Sequence, residues 1–123
     1  MDIEKVAYRV LGLAIEVHKN LGPGLLESTY ESCLVWELTQ AGISFQRQKS
    51  LPIYYNGLVI QTGYRVDLLI EKNIILELKS IEKLLPIHEA QLLTYLKLSQ
   101  KRLGFLLNFN VRVMKQGIKR FVL

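Results

Sequence analysis

Residues 64–80 read YRVDLLIEKNIILELKS: two apolar runs, Leu68-Leu69-Ile70 and Ile74-Ile75-Leu76, on either side of Glu71-Lys72-Asn73. Short apolar runs bounded by a polar turn read as strands, and a turn this tight makes them antiparallel. Opposed residues in such a hairpin have a constant sum, which the turn sets. A two-residue turn at Lys72-Asn73 sets Asp67 against Leu78; a three-residue turn at Glu71-Lys72-Asn73 sets Asp67 against Glu77. Hydrophobic pattern cannot choose, because both runs are apolar on both faces. Asn73 favours the longer turn, which wants a left-handed residue at its end. The register pairing Asp67 with Glu77 is therefore expected, with Lys79, two residues beyond Glu77, on the same strand face.

Two carboxylates side by side at ~5 Å, with an effective dielectric of ~20, repel by about 3 kcal/mol. Lys79 relieves part of this. A divalent cation would relieve more, and an all-oxygen ligand set suits magnesium or manganese. The alternative is that both acids are separately solvated at open strand ends, with Lys79 an ordinary alternating charge.

Outward from this hairpin the chain alternates helix and strand signals. Ile3, Val6, Val10, Leu13, Val17 and Leu21 step by three or four, as in an amphipathic helix with Asp2 as its N-cap. Gly22-Pro23-Gly24 stops that helix, and a second runs from about Leu25 to Gln40, closed by Gly42. Ile43 to Tyr55 reads as extended, with Pro52 marking an edge or a bulge, and Asn56-Gly57 signals a two-residue hairpin into a strand bent near Gly63. Pro86 suits the first turn of a helix reaching about Gln100, and strands follow at Gly104–Phe109 and Ile118–Val122. The third strand, this helix and the fourth strand form a βαβ unit with parallel strands. The expected fold is α/β, or α+β by a stricter definition: a mixed sheet of about five strands, flanked by two N-terminal helices and one crossover helix.

With 123 residues the chain is expected to be one domain. Half of it is apolar, an upper-end value for a soluble domain, which points to surface buried between subunits in a homodimer. No apolar run is long enough for a membrane span, and Asp2 and Glu4 do not resemble a secretory signal, so a cytoplasmic location is expected. Cys33 is the only cysteine, which excludes a disulfide framework or an all-cysteine metal site within one chain. Net charge is +5, with Lys97, Lys101, Arg102, Arg112, Lys115, Lys119 and Arg120 crowding the last third. That balance suits a polyanion such as nucleic acid, or else a solvated face. Two histidines, His18 and His88, are too few for a histidine-rich hydrolase metal site.

Asp67, nine intervening residues and then Glu77-Leu78-Lys79 resemble the core of the PD-(D/E)xK nuclease superfamily. Gly24-Leu25-Leu26-Glu27-Ser28-Thr29-Tyr30 resembles the motif of its GxxExxY branch, and Gln91 to Tyr95 resembles the Q-x-x-x-Y helix of RecB-type nucleases. "YRVDLLIE", "IILELKS", "HEAQLLTYLKL" and "LLNFN" follow in the order expected of that family, across nearly the whole chain. Val66 stands where the superfamily name has proline, a position that contributes no ligand. The resemblance implies a restriction-endonuclease-like core and a nuclease cleaving DNA, with RNA the alternative. It implies Mg²⁺, or Mn²⁺, held by Asp67, Glu77 and the Leu78 carbonyl, with Glu27 adding a water-mediated or second-metal contact. Lys79 would orient the attacking water, and Gln91 would hold Lys79 or the scissile phosphate.

Other residues carry two readings each. Tyr95 shares a helical stripe with Gln91 and His88, as part of the substrate site or as core packing. Tyr30 could fix Glu27, or be a core aromatic with a satisfied hydroxyl. Arg65 could contact phosphate, or pair with Asp67 on a shared strand face. A second function class competes with the enzyme: a nuclease-fold binding or adaptor subunit that cleaves slowly or not at all. A third is an interaction protein whose charged face is incidental.

Overall fold

The computed structural model describes residues 2–123. The chain opens with helix α1 (Ile3–Leu21), capped by Asp2, whose carboxylate accepts the N–H groups of Glu4 and Lys5 at 3.0 and 3.2 Å. Its most buried face is Ala7, Val10, Ala14 and Val17: Val10 and Val17 of the expected stripe are buried, whereas Ile3 and Leu21 at its ends are exposed. Small residues at the contact let α1 lie close against helix α2 (Glu27–Gln40). Gly22 ends α1 in the left-handed region, at φ 72°, and α2 begins two residues later than the pattern indicated.

Five strands form one sheet in the order β1 (Phe45–Tyr55), β2 (Leu58–Ile70), β3 (Ile74–Lys79), β4 (Leu103–Asn108) and β5 (Ile118–Val122). Only the β3–β4 pair is parallel, joined through helix α3 (Pro86–Ser99). The expected mixed α/β architecture is the one observed. β1 is an edge strand, and its register with β2 shifts between Leu51 and Ile53, around Pro52. Across from that shift Gly63 leaves room for the Ile53 side chain, which a Cβ at this position would meet.

Leu68 pairs with Leu76, Leu69 with Ile75 and Ile70 with Ile74, which is the register expected for a three-residue turn. The left-handed residues are Glu71 and Lys72, at φ 50° and 61°, and not Asn73. Asn73 instead closes the turn by bonding, its N–H to the Ile70 carbonyl and its side chain to the Glu71 carbonyl.

The alternation expected of the hairpin divides the core. Leu68, Ile70, Ile74, Leu76 and Leu78 pack with Phe105, Leu107 and Phe109 under α1 and α2. Leu69, Ile75 and Leu106 pack with Leu92 and Leu96 of α3 on the opposite face. Burying each such side chain contributes roughly 1.5–3 kcal/mol, so the sheet is clamped from both sides. Glu77 and Lys79 share the parity of Ile75 and so belong to the α3 face. Among the described residues no helix is long and apolar enough to cross a membrane.

Candidate active site at the end of strands β2 and β3

The β2–β3 ladder stops at Leu68 and Leu76, one pair short of Asp67 and Glu77. Beyond it the two acids substitute for backbone pairing. The Asp67 N–H donates to Glu77 Oε2 at 3.2 Å, and the Leu78 N–H donates to Asp67 Oδ2 at 2.8 Å. Each carboxylate thus replaces a carbonyl that a continued ladder would have supplied. Strand alternation breaks here too: Val66 and Leu69 both pack on the α3 side although three residues apart. The break lies opposite Gln48, whose left-handed φ of 51° marks a distortion of β1 that leaves the β1–β2 register unshifted.

Glu77 is buried, with 8% of its surface exposed. Burial pushes its carboxyl up to about 9, reinforced by the neighbouring Asp67 charge and only partly offset by Lys79. Glu77 is thus placed out of water beside a half-buried Asp67. Lys79 is half-buried on the same strand, and its carbonyl accepts the Phe109 N–H at 2.9 Å on the β4 side. Backbone groups alternate along a strand, so the Leu78 carbonyl faces the β2 side, where its N–H meets Asp67.

Glu27 arrives from the end of the sheet, as the first residue of α2. Its residue is exposed, yet desolvation of the carboxyl pushes it up, countered by Lys79 and reinforced by Asp67. It therefore lies within Coulombic reach of both. Three hydrogen bonds fix its position. The Ser80 hydroxyl donates to the Leu25 carbonyl at 2.6 Å, tying the end of β3 to the α1–α2 corner. The Tyr30 hydroxyl donates to the Gly22 carbonyl at 2.6 Å and accepts the Leu25 N–H at 3.1 Å.

Tyr30 is wholly buried and stacked on Phe109, with ring centroids 4.5 Å apart. Of its two readings the structure favours the core aromatic: its hydroxyl bonds the Gly22 carbonyl and the Leu25 N–H and not Glu27. The stretch from Gly24 to Tyr30 is thereby a physical unit. Gly24 supplies a left-handed φ of 95°, Tyr30 locks the corner, and Glu27 is delivered between them.

From α3, Tyr95 senses the pair. Burial pushes its hydroxyl up first, the Glu77 charge next, and Gln91 pulls it down by hydrogen bonding. Gln91 and Tyr95 are thus brought to the acids, and Tyr95 also stacks on Tyr64 at 4.6 Å. His88 is not: its Nδ1 accepts the Leu85 N–H at 2.9 Å and caps α3. Arg65 has no ion-pair partner among the described residues and lies exposed; the break in alternation removes the shared face with Asp67 that spacing suggested.

The sequence reading missed Glu31. Buried on α2, it accepts Arg47 Nε and Gln48 Nε2, each at 2.6 Å, and Gln48 Nε2 lies 3.4 Å from Asp67 Oδ1. This chain links α2 to the acid pair through β1. Its one sequence signal was the four-residue spacing from Glu27, which puts both acids on one helical stripe. Asn108 was missed as well: its side chain bonds both backbone groups of Ile81, holding the segment after β3.

The donor set fits a hard cation of one kind. Among the described residues no three His, Cys, Asp or Glu side chains close on one point, so Glu27 stands apart and does not complete a three-carboxylate cage. Two carboxylates and a carbonyl remain, all oxygen, with a buried charge to neutralise. Mg²⁺ is usually held by one or two carboxylates, filling its other positions with water and phosphate.

No curated protein matches the chain. A family model does, over residues 4–121, and it describes the PD-(D/E)XK nuclease superfamily. Nucleases of that superfamily typically use divalent metals. The match spans nearly every residue that builds the sheet, the acid pair and the α3 face, and the chain belongs to the PD-(D/E)XK nuclease superfamily.

Proposed function

We propose that the protein is a Mg²⁺- or Mn²⁺-dependent nuclease of the GxxExxY branch, hydrolysing phosphodiester bonds of DNA. The reading rests above all on the Asp67–Glu77 exchange at the end of the β2–β3 ladder, with Lys79 on the same face. Asp67, Glu77 and the Leu78 carbonyl would hold the metal, and Glu27 would act on it through water. The bound metal would supply Lewis-acid activation of water and neutralisation of phosphate charge.

The chain's own residues do the rest. Glu77, burdened by burial and by Asp67, is driven to share its charge with a cation or a proton. Lys79 orients the nucleophile and meets the negative charge developing on phosphate. Gln91 and Tyr95 confine Lys79 and the phosphate from the α3 side, and Glu31, through Gln48, holds Asp67 in its rotamer. His88, at the first turn of α3, and Arg65, exposed on β2, are assigned to the substrate backbone beyond this centre.

The test is a Mg²⁺ and Mn²⁺ titration with single- and double-stranded DNA, comparing the protein with Asp67→Ala and Lys79→Ala. Metal-dependent cleavage lost in both variants is the expected result. Equal cleavage by all three proteins refutes the assignment. Cleavage by none, with DNA binding intact, points to the adaptor role instead.

A further inference from the structure

The seven basic residues of the last third do not act as one patch. Lys119 pairs with Glu89 at 2.8 Å, and Arg120 pairs with Glu4 through two bonds of 2.8 and 2.7 Å. Lys97, Lys101 and Arg102 lie at the end of the sheet where α3 finishes and β4 begins, the end remote from Lys79. Only Arg112 and Lys115 follow β4 at the end where Glu77 and Lys79 sit. With His18 and Lys19 from the last turn of α1, they line a cleft of about 490 Å³ that has no carboxylate in its walls.

None of Lys19, Arg112 and Lys115 has an ion-pair partner among the described residues. The one acid a turn back on α1, Glu16, is bonded by Asn20. Hydrogen bonds also tie the cleft to the segments that carry the acid site. His18, buried, bonds the Val111 carbonyl through Nε2 at 2.7 Å, and Phe109, two residues earlier, bonds Lys79. Gly22, at the cleft's rim, carries the carbonyl that holds Tyr30 and so the corner bearing Glu27.

We infer that this cleft binds the phosphate backbone of the nucleic-acid substrate, away from the scissile bond. The inference rests on the nuclease reading and extends it, since it names where the strand runs on leaving the acids. Unpaired cations in a concavity strengthen one another's field, and the Arg112 guanidinium suits phosphate oxygens two at a time. The other wall, the Lys19 ammonium on α1, supplies a point charge.

The test uses Asp67→Ala as background, so that cleavage does not interfere, and measures binding of a labelled DNA duplex by fluorescence anisotropy from 50 to 200 mM salt. Arg112→Ala/Lys115→Ala should lower the slope of log affinity against log salt by about 2, and affinity by up to about 60-fold at 0.1 M. Lys101→Ala/Arg102→Ala removes the same charge at the remote end and should change affinity less than about threefold. Lys19→Gln, which leaves the segment after β4 untouched, should lower the slope by about 1. Equal losses from the two double variants, or no loss from either, overturn the cleft. If cleavage through Asp67 and Lys79 is found while Arg112→Ala/Lys115→Ala binds normally, the cleft alone fails. If no version binds DNA, the cleft fails, and the nuclease reading is decided by the cleavage test.

Discussion

Glu77→Gln separates what the acid costs the fold from what it does for chemistry. In the folded protein the Glu77 carboxyl is pushed to about 9, against 4.5 as its ordinary value. Between these limits the folded state holds a proton that the unfolded state has released. Stability therefore falls as pH rises from about 4.5 to 9, by at most about 1.4 kcal/mol per unit. At pH 8 the ceiling is about 5 kcal/mol, and relaxation of the site lowers the realised value to a few. Glutamine keeps the oxygen that accepts the Asp67 N–H, offers Asp67 a donor and never ionises. Glu77→Gln should thus be more stable than the parent at pH 8 by about 2–4 kcal/mol and indistinguishable near pH 4.5. For 123 residues, unfolding entropy makes 1 kcal/mol worth about 4 °C, so the gain is roughly 8–16 °C. Calorimetry in chelator across pH 4.5–9 measures it, and cleavage should vanish in the same variant. A variant less stable at pH 8, or a difference independent of pH, would refute the claim that burial and Asp67 strain this carboxyl.

Three further outcomes follow from the same geometry. A cation must displace the proton on Glu77, so Mg²⁺ should raise the melting temperature more at pH 8.5 than at pH 6.5, and much less in Glu77→Gln; a pH-independent rise contradicts it. Tyr30→Phe leaves the Gly22 carbonyl and the Leu25 N–H without their partner in a tightly packed corner. It should cost about 1–3 kcal/mol in denaturant melts and slow cleavage by displacing Glu27, while the Mg²⁺-induced shift persists. Glu31→Ala releases Arg47 and Gln48 together; it should cost about 1–2 kcal/mol and lower cleavage, and unchanged activity would dissociate Glu31 from the site.

The register of the central hairpin was legible through the choice of a three-residue turn ending at Asn73, and strand length then followed from apolar runs. Its turn was not legible in detail. Left-handed backbone fell on Glu71 and Lys72, since Asn73 was more useful as a hydrogen-bond clamp. The face of Arg65 was misjudged because spacing arguments assume unbroken alternation, and a distortion opposite Gln48 breaks it at Asp67. Glu31, Ser80 and Asn108 escaped notice for a different reason. Each acts on backbone or side chains far along the chain, and such partners are set by how helices seat on the sheet. Tyr30 shows the mixture well: its motif was visible, whereas the destination of its hydroxyl needed the folded corner.

The two margins of the sheet bear on how copies of this protein could meet. β1 presents Arg47, Lys49 and Pro52 with a left-handed kink at Gln48, and β5 is five residues long with Lys119 and Arg120 in it. Both margins resist being zipped onto a neighbouring strand, because like charges and a missing N–H interrupt any new ladder. Two-fold association by sheet extension is disfavoured on either side. A self-complementary contact is left to exposed apolar faces, Tyr8 of α1 and Trp36 of α2 or Tyr54, Tyr55 and Leu58 at the tip of the β1–β2 hairpin, and the strand ends carrying the acids would be left clear for a long polymer to pass.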